Sequence, residues 1–211
     1  MRIAIIGIGN VGSAIARGLK GKSHQVILGA RDPQAADVVA LATATGATPM
    51  LPAAAAAAGD LIILALPWGV AESAVKTLGA LAGKTVIDCM NPLGMVDGAL
   101  GLTVGHLTSG GEIVQGWLPE AHVVKTLNQV GAEITAKNDH LPHRPVQFLA
   151  GDDGRAKAAC ATILADLGFE ALDAGGLAKA RLLEPLAMVW INQSLFRGKG
   201  RNWALAAIAP Q

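Results

Sequence analysis

Met1-Arg-Ile-Ala-Ile-Ile-Gly7-Ile-Gly9-Asn-Val-Gly12 is an apolar strand that closes on three glycines in the spacing G-x-G-x-x-G. The first glycine permits a tight turn from strand to helix, the second lets backbone approach a pyrophosphate, and the third lets helix and strand pack closely. The N–H groups that open the following helix then point toward phosphate. The surroundings strengthen the motif: a helical stretch over Ala14–Leu19 follows, and the strand His24-Gln-Val-Ile-Leu-Gly29 completes a βαβ unit. An NAD site usually places an acid at the tip of that second strand to bond the ribose 2′-hydroxyl. Here the tip is Ala30 followed by Arg31, whose guanidinium suits a 2′-phosphate, so the pattern favours NADP(H). Asp32 is the competing candidate for a ribose acid.

The 211 residues suffice for one α/β domain with an elaboration. A net charge of +1 with scattered Lys and Arg points away from nucleic acid and toward small-molecule partners. Cys89 and Cys160 lack the spacing of a metal or redox pair, which fits a reducing cytoplasm. Glycines interrupt the apolar start, and Arg17, Lys20 and Lys22 follow where a signal-peptide cleavage site would need small residues. The most apolar run, Leu61 to Leu66, is far below the ~20 residues of a spanning helix. The expectation is a cytoplasmic protein with no membrane partner.

Short apolar runs alternate with Ala-rich helical stretches, the pattern of a parallel sheet covered on both faces. Strands are predicted near Arg2–Ile6, Gln25–Leu28, Ala47–Met50, Leu61–Ala65, Thr85–Asp88, His122–Thr126, Val146–Ala150 and Glu170–Asp173. Helices are predicted over Val11–Leu19, Pro33–Thr45, Pro52–Ala58, Val70–Leu81, Gly110–Leu118, Arg155–Leu167 and Leu177–Phe196. Asp152 and Asp153 read as helix caps rather than a catalytic carboxylate pair. His140 and His143 in the Lys137–Pro145 loop lack the further ligands a metal needs, and no residue is assigned to metal.

In a Rossmann sheet the carboxyl ends of the strands face the cofactor. Leu66, Pro67 and Trp68 follow one strand and line the path from adenosine to nicotinamide; Asn91, Pro92 and Leu93 follow the next and belong near the nicotinamide ribose. The segment from Lys125 through Asn128, Val130 and Ala132 presents polar groups at a third strand end, where it shapes an acceptor pocket. The competing reading is a snorkelling lysine and an asparagine that caps the next turn. Oxidation of an alcohol needs a protein acid or base. Related hydroxyacid enzymes carry it on a long helical domain, for which too little chain remains after the last strand. Hydride transfer between two bound rings needs positioning but no obligatory acid, so no catalytic residue is assigned.

Gly7-Ile-Gly-Asn-Val-Gly12, Gly29-Ala-Arg31, Leu66-Pro-Trp68, Val123-Val-Lys-Thr-Leu-Asn-Gln-Val-Gly-Ala-Glu133, Gly151-Asp-Asp153 and Asp173-Ala-Gly-Gly-Leu-Ala-Lys-Ala-Arg-Leu-Leu-Glu-Pro-Leu186 together resemble the coenzyme F420-dependent NADP oxidoreductase family, in order and over nearly the whole chain. The resemblance implies a crevice in which nicotinamide and deazaflavin stack and exchange hydride. It implies that Asn10, Val11, Arg31, Trp68 and Ala132 contact NADP and that Val130 packs near the ring pair. Asn128, Leu177 and Arg181 fall on the substrate side. Ala30 stands where the family usually has a hydroxyl residue, and Gly176, Ala178 and Lys179 replace Pro, Ser and Asn beside the deazaflavin, so FMN or FAD enters beside F420 as an acceptor.

The expected architecture is a Rossmann-type doubly wound, mostly parallel sheet over residues 1–175, with a C-terminal helix and tail over 176–211 packing on the acceptor site or a dimer face. The final helix is apolar over much of its surface, so it either joins the chain's own core or, the favoured reading, forms a homodimer face anchored by Trp190 and Phe196. Gly198 and Gly200 alternate with Arg197, Lys199 and Arg201, cations that either meet a polyanionic acceptor tail or form a solvated turn. The expected activity is hydride transfer between NADPH and F420 or a flavin-like acceptor. Competing readings are a non-catalytic NADP(H)-binding regulator and, with shorter C-terminal helices than it requires, an imine reductase of the pyrroline-carboxylate type.

Overall fold

A computed structural model describes residues 1–209. The apolar run at the start forms β1 (Arg2–Ile6), with Ile3 to Ile6 at most 1% exposed, and lies inside an eight-stranded sheet. The chain continues through α1 (Asn10–Gly18), β2 (Gln25–Gly29), α2 (Ala36–Thr45), β3 (Thr48–Met50), α3 (Pro52–Ala58), β4 (Leu61–Leu64), α4 (Trp68–Lys76) and β5 (Thr85–Asp88). A separate hairpin, β6 (Leu93–Val96) and β7 (Ala99–Leu102), precedes α5 (Gly110–Trp117), β8 (His122–Lys125) and α6 (Ala132–Ala136). Then come β9 (Val146–Gly151), α7 (Gly154–Asp166), β10 (Glu170–Gly175), a 3-10 turn at Leu177–Lys179, α8 (Ala180–Ile191) and a closing π turn at Asn192–Phe196.

The sheet order is β10-β9-β8-β5-β4-β1-β2-β3, and every pairing is parallel except β8 with β9. The strand order reverses at β1, between β2 and β4, and there Ile6 pairs with Gly29 on one side and Leu64 on the other. The three strands therefore end level and leave a crevice between the loops that follow them. Alternation along β1 sends Ile3 and Ile5 into a core with Ile15, Leu19, Ile163 and Phe169, and Ala4 and Ile6 into a second core with Leu64, Val75, Val86 and Val114. Both faces of the sheet are thus covered, as expected for buried parallel strands.

Four features depart from expectation. First, α4 begins at Trp68 and ends at Lys76, because Thr77 and Leu78 tighten onto the carbonyls of Ala74 and Val75. Second, α2 starts at Ala36 rather than Pro33, because the Asp32 carboxylate accepts the Gln34 N–H at 2.9 Å and holds a turn there. Third, the β6–β7 hairpin turns at Asp97 and Gly98, with φ of 49° and 79°, the left-handed pair that a two-residue hairpin turn demands. Fourth, the short α6 forms just before the Lys137–Pro145 loop, where no helix is predicted. Pro185 does not end α8, which runs through it.

Of the two aspartates read as caps, only Asp153 caps α7, accepting the Ala156 N–H at 2.7 Å; Asp152 accepts from Leu177 at 2.9 Å and secures the turn before α8. Trp190 is not an exposed anchor. It is 4% exposed and stacks on Trp203 of the chain's own tail, with ring centroids 5.9 Å apart and its Nε1 donating to the Trp203 carbonyl.

Candidate functional site

The glycine loop joins β1 to α1 at the sheet's reversal point. Gly7 sits at φ +94°, and a Cβ there would press on the Ala65 carbonyl, while a Cβ on Gly12 would collide with the Gly7 carbonyl. At Gly9 a Cβ would meet nothing within 4 Å: this glycine faces an open cradle. Among the described residues no side chain caps α1, and the N–H groups of a helix's first turn have no partner within the helix. Asn10 is exposed and Val11 half-buried at that opening. The uncapped donors and the open space beside Gly9 suit a pyrophosphate.

At the tip of β2 the Ala30 side chain is 4% exposed and its N–H donates to the Met50 carbonyl, which leaves Arg31 as the exposed group beside the cradle. Asp32, engaged in its turn with Gln34, is one step further along an exposed loop. The pair of positions thus offers a cation where a 2′-phosphate would lie.

The tips of β4, β5 and β8 form the other wall. Leu66 is half-buried and Pro67 exposed, but the Trp68 ring lies along α5, stacked on Trp117 with centroids 5.4 Å apart. Asn91 and Asn128 exchange hydrogen bonds: Asn91 Nδ2 donates to the Asn128 carbonyl and Asn128 Nδ2 to Asn91 Oδ1, each at 3.0 Å. Asn128 Nδ2 also donates to the Leu183 carbonyl, and Gln129 ties Asn128 to Phe148. Pro92 is buried and Leu93, Val130 and Ala132 are half-buried along this wall.

Below these tips lies a cluster that sequence reasoning missed. Lys125 does not snorkel: its side chain is 0% exposed. Its Nζ donates to Asp88 Oδ2 at 2.9 Å and to the Met90 carbonyl at 2.5 Å, and stands 2.8 Å from Glu184 Oε1. Glu184 accepts the N–H groups of Gly110 and Gly111 at 2.9 and 3.0 Å, so a carboxylate from α8 occupies the N-terminus of α5. Burial alone would lower the Lys125 pKa, and the two carboxylates outweigh it, so the ammonium is held above its ordinary range. The sequence signal was a charge within an otherwise apolar strand and another within an apolar helix.

On the outer side of α8 a groove of about 810 Å³ runs between the Leu102–His106 segment and the helix start, lined by Val104, His106, Lys179, Arg181, Leu182 and Pro185 among others. Arg181 is there, but both arms of its guanidinium bind Glu112, at 2.9 and 2.5 Å. That contact, helped by the Ser109 hydroxyl, outweighs the upward push of burial and leaves the Glu112 carboxyl below its usual range. Leu177 is 3% exposed and belongs to the core beneath the groove. The structure therefore gathers Gly7, Gly9, Asn10, Val11, Gly12 and Arg31 around the cradle, and separates Leu177 and Arg181 from them.

A parallel sheet with a glycine cradle at its reversal point and a cation at the neighbouring strand tip defines a Rossmann-type dinucleotide-binding protein. Residues 2–92 match the family model described as NADP oxidoreductase, coenzyme F420-dependent. A solved structure from Arthrobacter sp. FB24, named as a candidate F420-dependent NADP reductase, is 31% identical and superposes with a TM-score of 0.87 over 97% of this chain and 99% of its own. The F420-dependent NADP reductase of Methanocaldococcus jannaschii is 28% identical over 95% of this chain and 96% of that protein. The metalloreductase STEAP3 of Rattus norvegicus is 26% identical over 89% of this chain, which spans only 36% of that relative. The chain belongs to the F420-dependent NADP oxidoreductase family and is an NADP-dependent oxidoreductase. No described helix is long and apolar enough to cross a membrane.

Proposed function

We propose that this protein moves hydride between NADPH and a deazaflavin, coenzyme F420, with FMN or FAD as lesser acceptors. The observation that carries the cofactor half is the open cradle at Gly9 beside an exposed Arg31. Bound NADPH supplies a transferable hydride at its nicotinamide. Gly7, Gly9, Asn10, Val11 and Gly12 hold the pyrophosphate; Ala30 and Arg31 hold the 2′-phosphate end. Leu66, Pro67, Trp68, Asn91, Pro92, Leu93 and Ala132 border the path to the nicotinamide. Val130 borders the acceptor with Asn128 behind it, whereas Leu177, buried in the core, and Arg181, bound to Glu112, are not assigned to it. These residues bind, orient and exclude water, and none is required to carry a proton.

The division at residues 175 and 176 follows from the same reading: the sheet holds the cofactor, and the C-terminal helix and tail border the acceptor. Pro210 and Gln211 of that tail lie outside the described residues. Val189 and Phe196, 56% and 57% exposed, offer an apolar face for an isologous homodimer, which sedimentation would report. The proposed setting is the cytoplasm.

The test mixes purified protein with NADPH and oxidised F420, with FMN and FAD in parallel, and follows the acceptor's visible absorbance. Fast bleaching of F420 with NADPH and slow bleaching with NADH is the expected result. Turnover of FMN or FAD alone would replace the acceptor, and NADPH binding with no turnover on any of the three would make the protein a non-catalytic sensor of NADP(H).

A further inference from the structure

Three fully buried charges converge where the carboxyl ends of β5 and β8 meet the body of α8, and their bonding is complete. The ammonium of Lys125 has three donors and three acceptors: Asp88 Oδ2, Glu184 Oε1 and the Met90 carbonyl. Asp88 spends its other oxygen on the Met90 N–H, at 2.9 Å. Met90 is thus gripped at both of its peptide groups by one ion pair, immediately before Asn91, Pro92 and Leu93. Its side chain is 3% exposed.

Such a cluster is a poor device for stability alone, because apolar residues of the same volume commonly serve as well or better in place of buried ions. What an ammonium provides, and an apolar side chain cannot, is a directed hold on a carbonyl. The loop after β5 has that hold at Met90 and a second one at Asn91, through the reciprocal bonds with Asn128. It is fixed across the tips of two neighbouring strands before it reaches the crevice.

We infer that Lys125 is a positioning residue for hydride transfer, its ammonium holding the Met90 carbonyl so that Asn91, Pro92 and Leu93 stand at a fixed distance from the nicotinamide. The inference rests on the cofactor reading given above. Lys125 does not act as an acid, since it is out of contact with solvent and shielded from the crevice by its three acceptors. Its action is through the loop. The expected signature is a cofactor that binds nearly as well but sits loosely at its reactive end, because pyrophosphate and 2′-phosphate contacts lie at the other side of the crevice.

Lys125→Met leaves two buried carboxylates without their cation and invites misfolding. The double variant Lys125→Met/Glu184→Gln removes one charge of each sign, keeps Asp88 on the Met90 N–H and leaves the net buried charge as it was. The measurements are the melting temperature, the dissociation constant of NADPH, the emission and anisotropy of the bound nicotinamide, and kcat with the best acceptor. The expected result for the folded double variant is an NADPH dissociation constant within about threefold of wild type. Its bound nicotinamide emission is altered and more depolarised, and kcat is lower by about tenfold to 100-fold, the scale of a misplaced reacting centre. A folded double variant with wild-type emission and kcat would overturn the inference. So would a loss of activity that merely tracks the fraction of unfolded protein. Failure of the wild-type protein to bind NADPH at all would instead overturn the cofactor reading, and this inference with it.

Discussion

Two helices of this protein begin at the same edge of the sheet, and their first turns are used in opposite ways. The N-terminus of α1 is uncapped among the described residues and opens on the space beside Gly9. The N-terminus of α5 is filled twice over: Ser109 accepts the Glu112 N–H, and Glu184 accepts from Gly110 and Gly111. Both turns offer the same partial positive charge and the same free donors. One is completed by a carboxylate of the chain itself and becomes architecture; the other is left for an anion from outside and becomes a binding site. Local sequence alone does not separate the two cases, since each turn is rich in glycine. What separates them is whether a distant acid, here in α8, arrives to fill the donors.

The largest test of that contrast is Glu184→Ala. It strips the in-chain anion from α5 and unbalances Lys125, and should destabilise the fold by about 3–5 kcal/mol in denaturant unfolding. Loss of less than 1 kcal/mol would mean that α5 does not depend on its internal anion. Arg31→Ala should raise the Michaelis constant for NADPH by about 10-fold to 100-fold, the worth of a charge-assisted contact, with little change for NADH. Equal losses for both cofactors would remove Arg31 from the 2′-phosphate.

Gly9→Ala sharpens the contrast from the vacant side. Its methyl meets no protein atom, so unfolding should stay within about 0.5 kcal/mol of wild type. NADPH affinity should nevertheless fall by about tenfold as the methyl enters the space reserved for pyrophosphate. Unchanged affinity would show that the phosphate lies elsewhere.

The smallest effect concerns Glu112, the acid that completes the α5 cap and holds Arg181. Its folded carboxyl is below its ordinary value, chiefly through the Arg181 hydrogen bonds, so it contributes stability above about pH 4.5, the unfolded carboxylate range. That contribution is lost as pH falls through the lowered folded value. The stability difference between wild type and Glu112→Gln should therefore be constant near neutrality and shrink in acid. A difference that does not vary between pH 3 and 7, a range spanning roughly the carboxylate titration, would mean that the pair is idle.

Much of the fold was legible because its signals are local. The β1 glycines, the Pro52 helix start and the buried strand Leu61–Leu64 each announce themselves within a few residues. The hairpin was not read, although Asp97-Gly98 between two apolar runs carries a hairpin signal, because the proline turn before it overshadowed the pair. The cradle and Arg31 belong with the local signals. The Lys125, Asp88 and Glu184 cluster does not, because its members are separated by long stretches of sequence and meet only when β5, β8 and α8 converge. Lys125 read as a polar group of the acceptor pocket, with a snorkelling lysine as the competing reading, because nothing nearby in sequence pairs with it. The inward turn of Trp190 was hidden for the same reason: its cover, Trp203, is supplied by a tail with little pattern of its own.

The β6–β7 hairpin is joined to the rest of the molecule at a narrow neck. The Pro92 carbonyl accepts both the N–H and the hydroxyl of Thr103, at 2.8 and 3.0 Å, so the loop is closed where it leaves the sheet. A closed neck makes the hairpin an exchangeable cassette. Its two strands pair only with each other, so a change in its length beyond Leu93 leaves the register of the main sheet untouched, and its far side borders the groove beside α8.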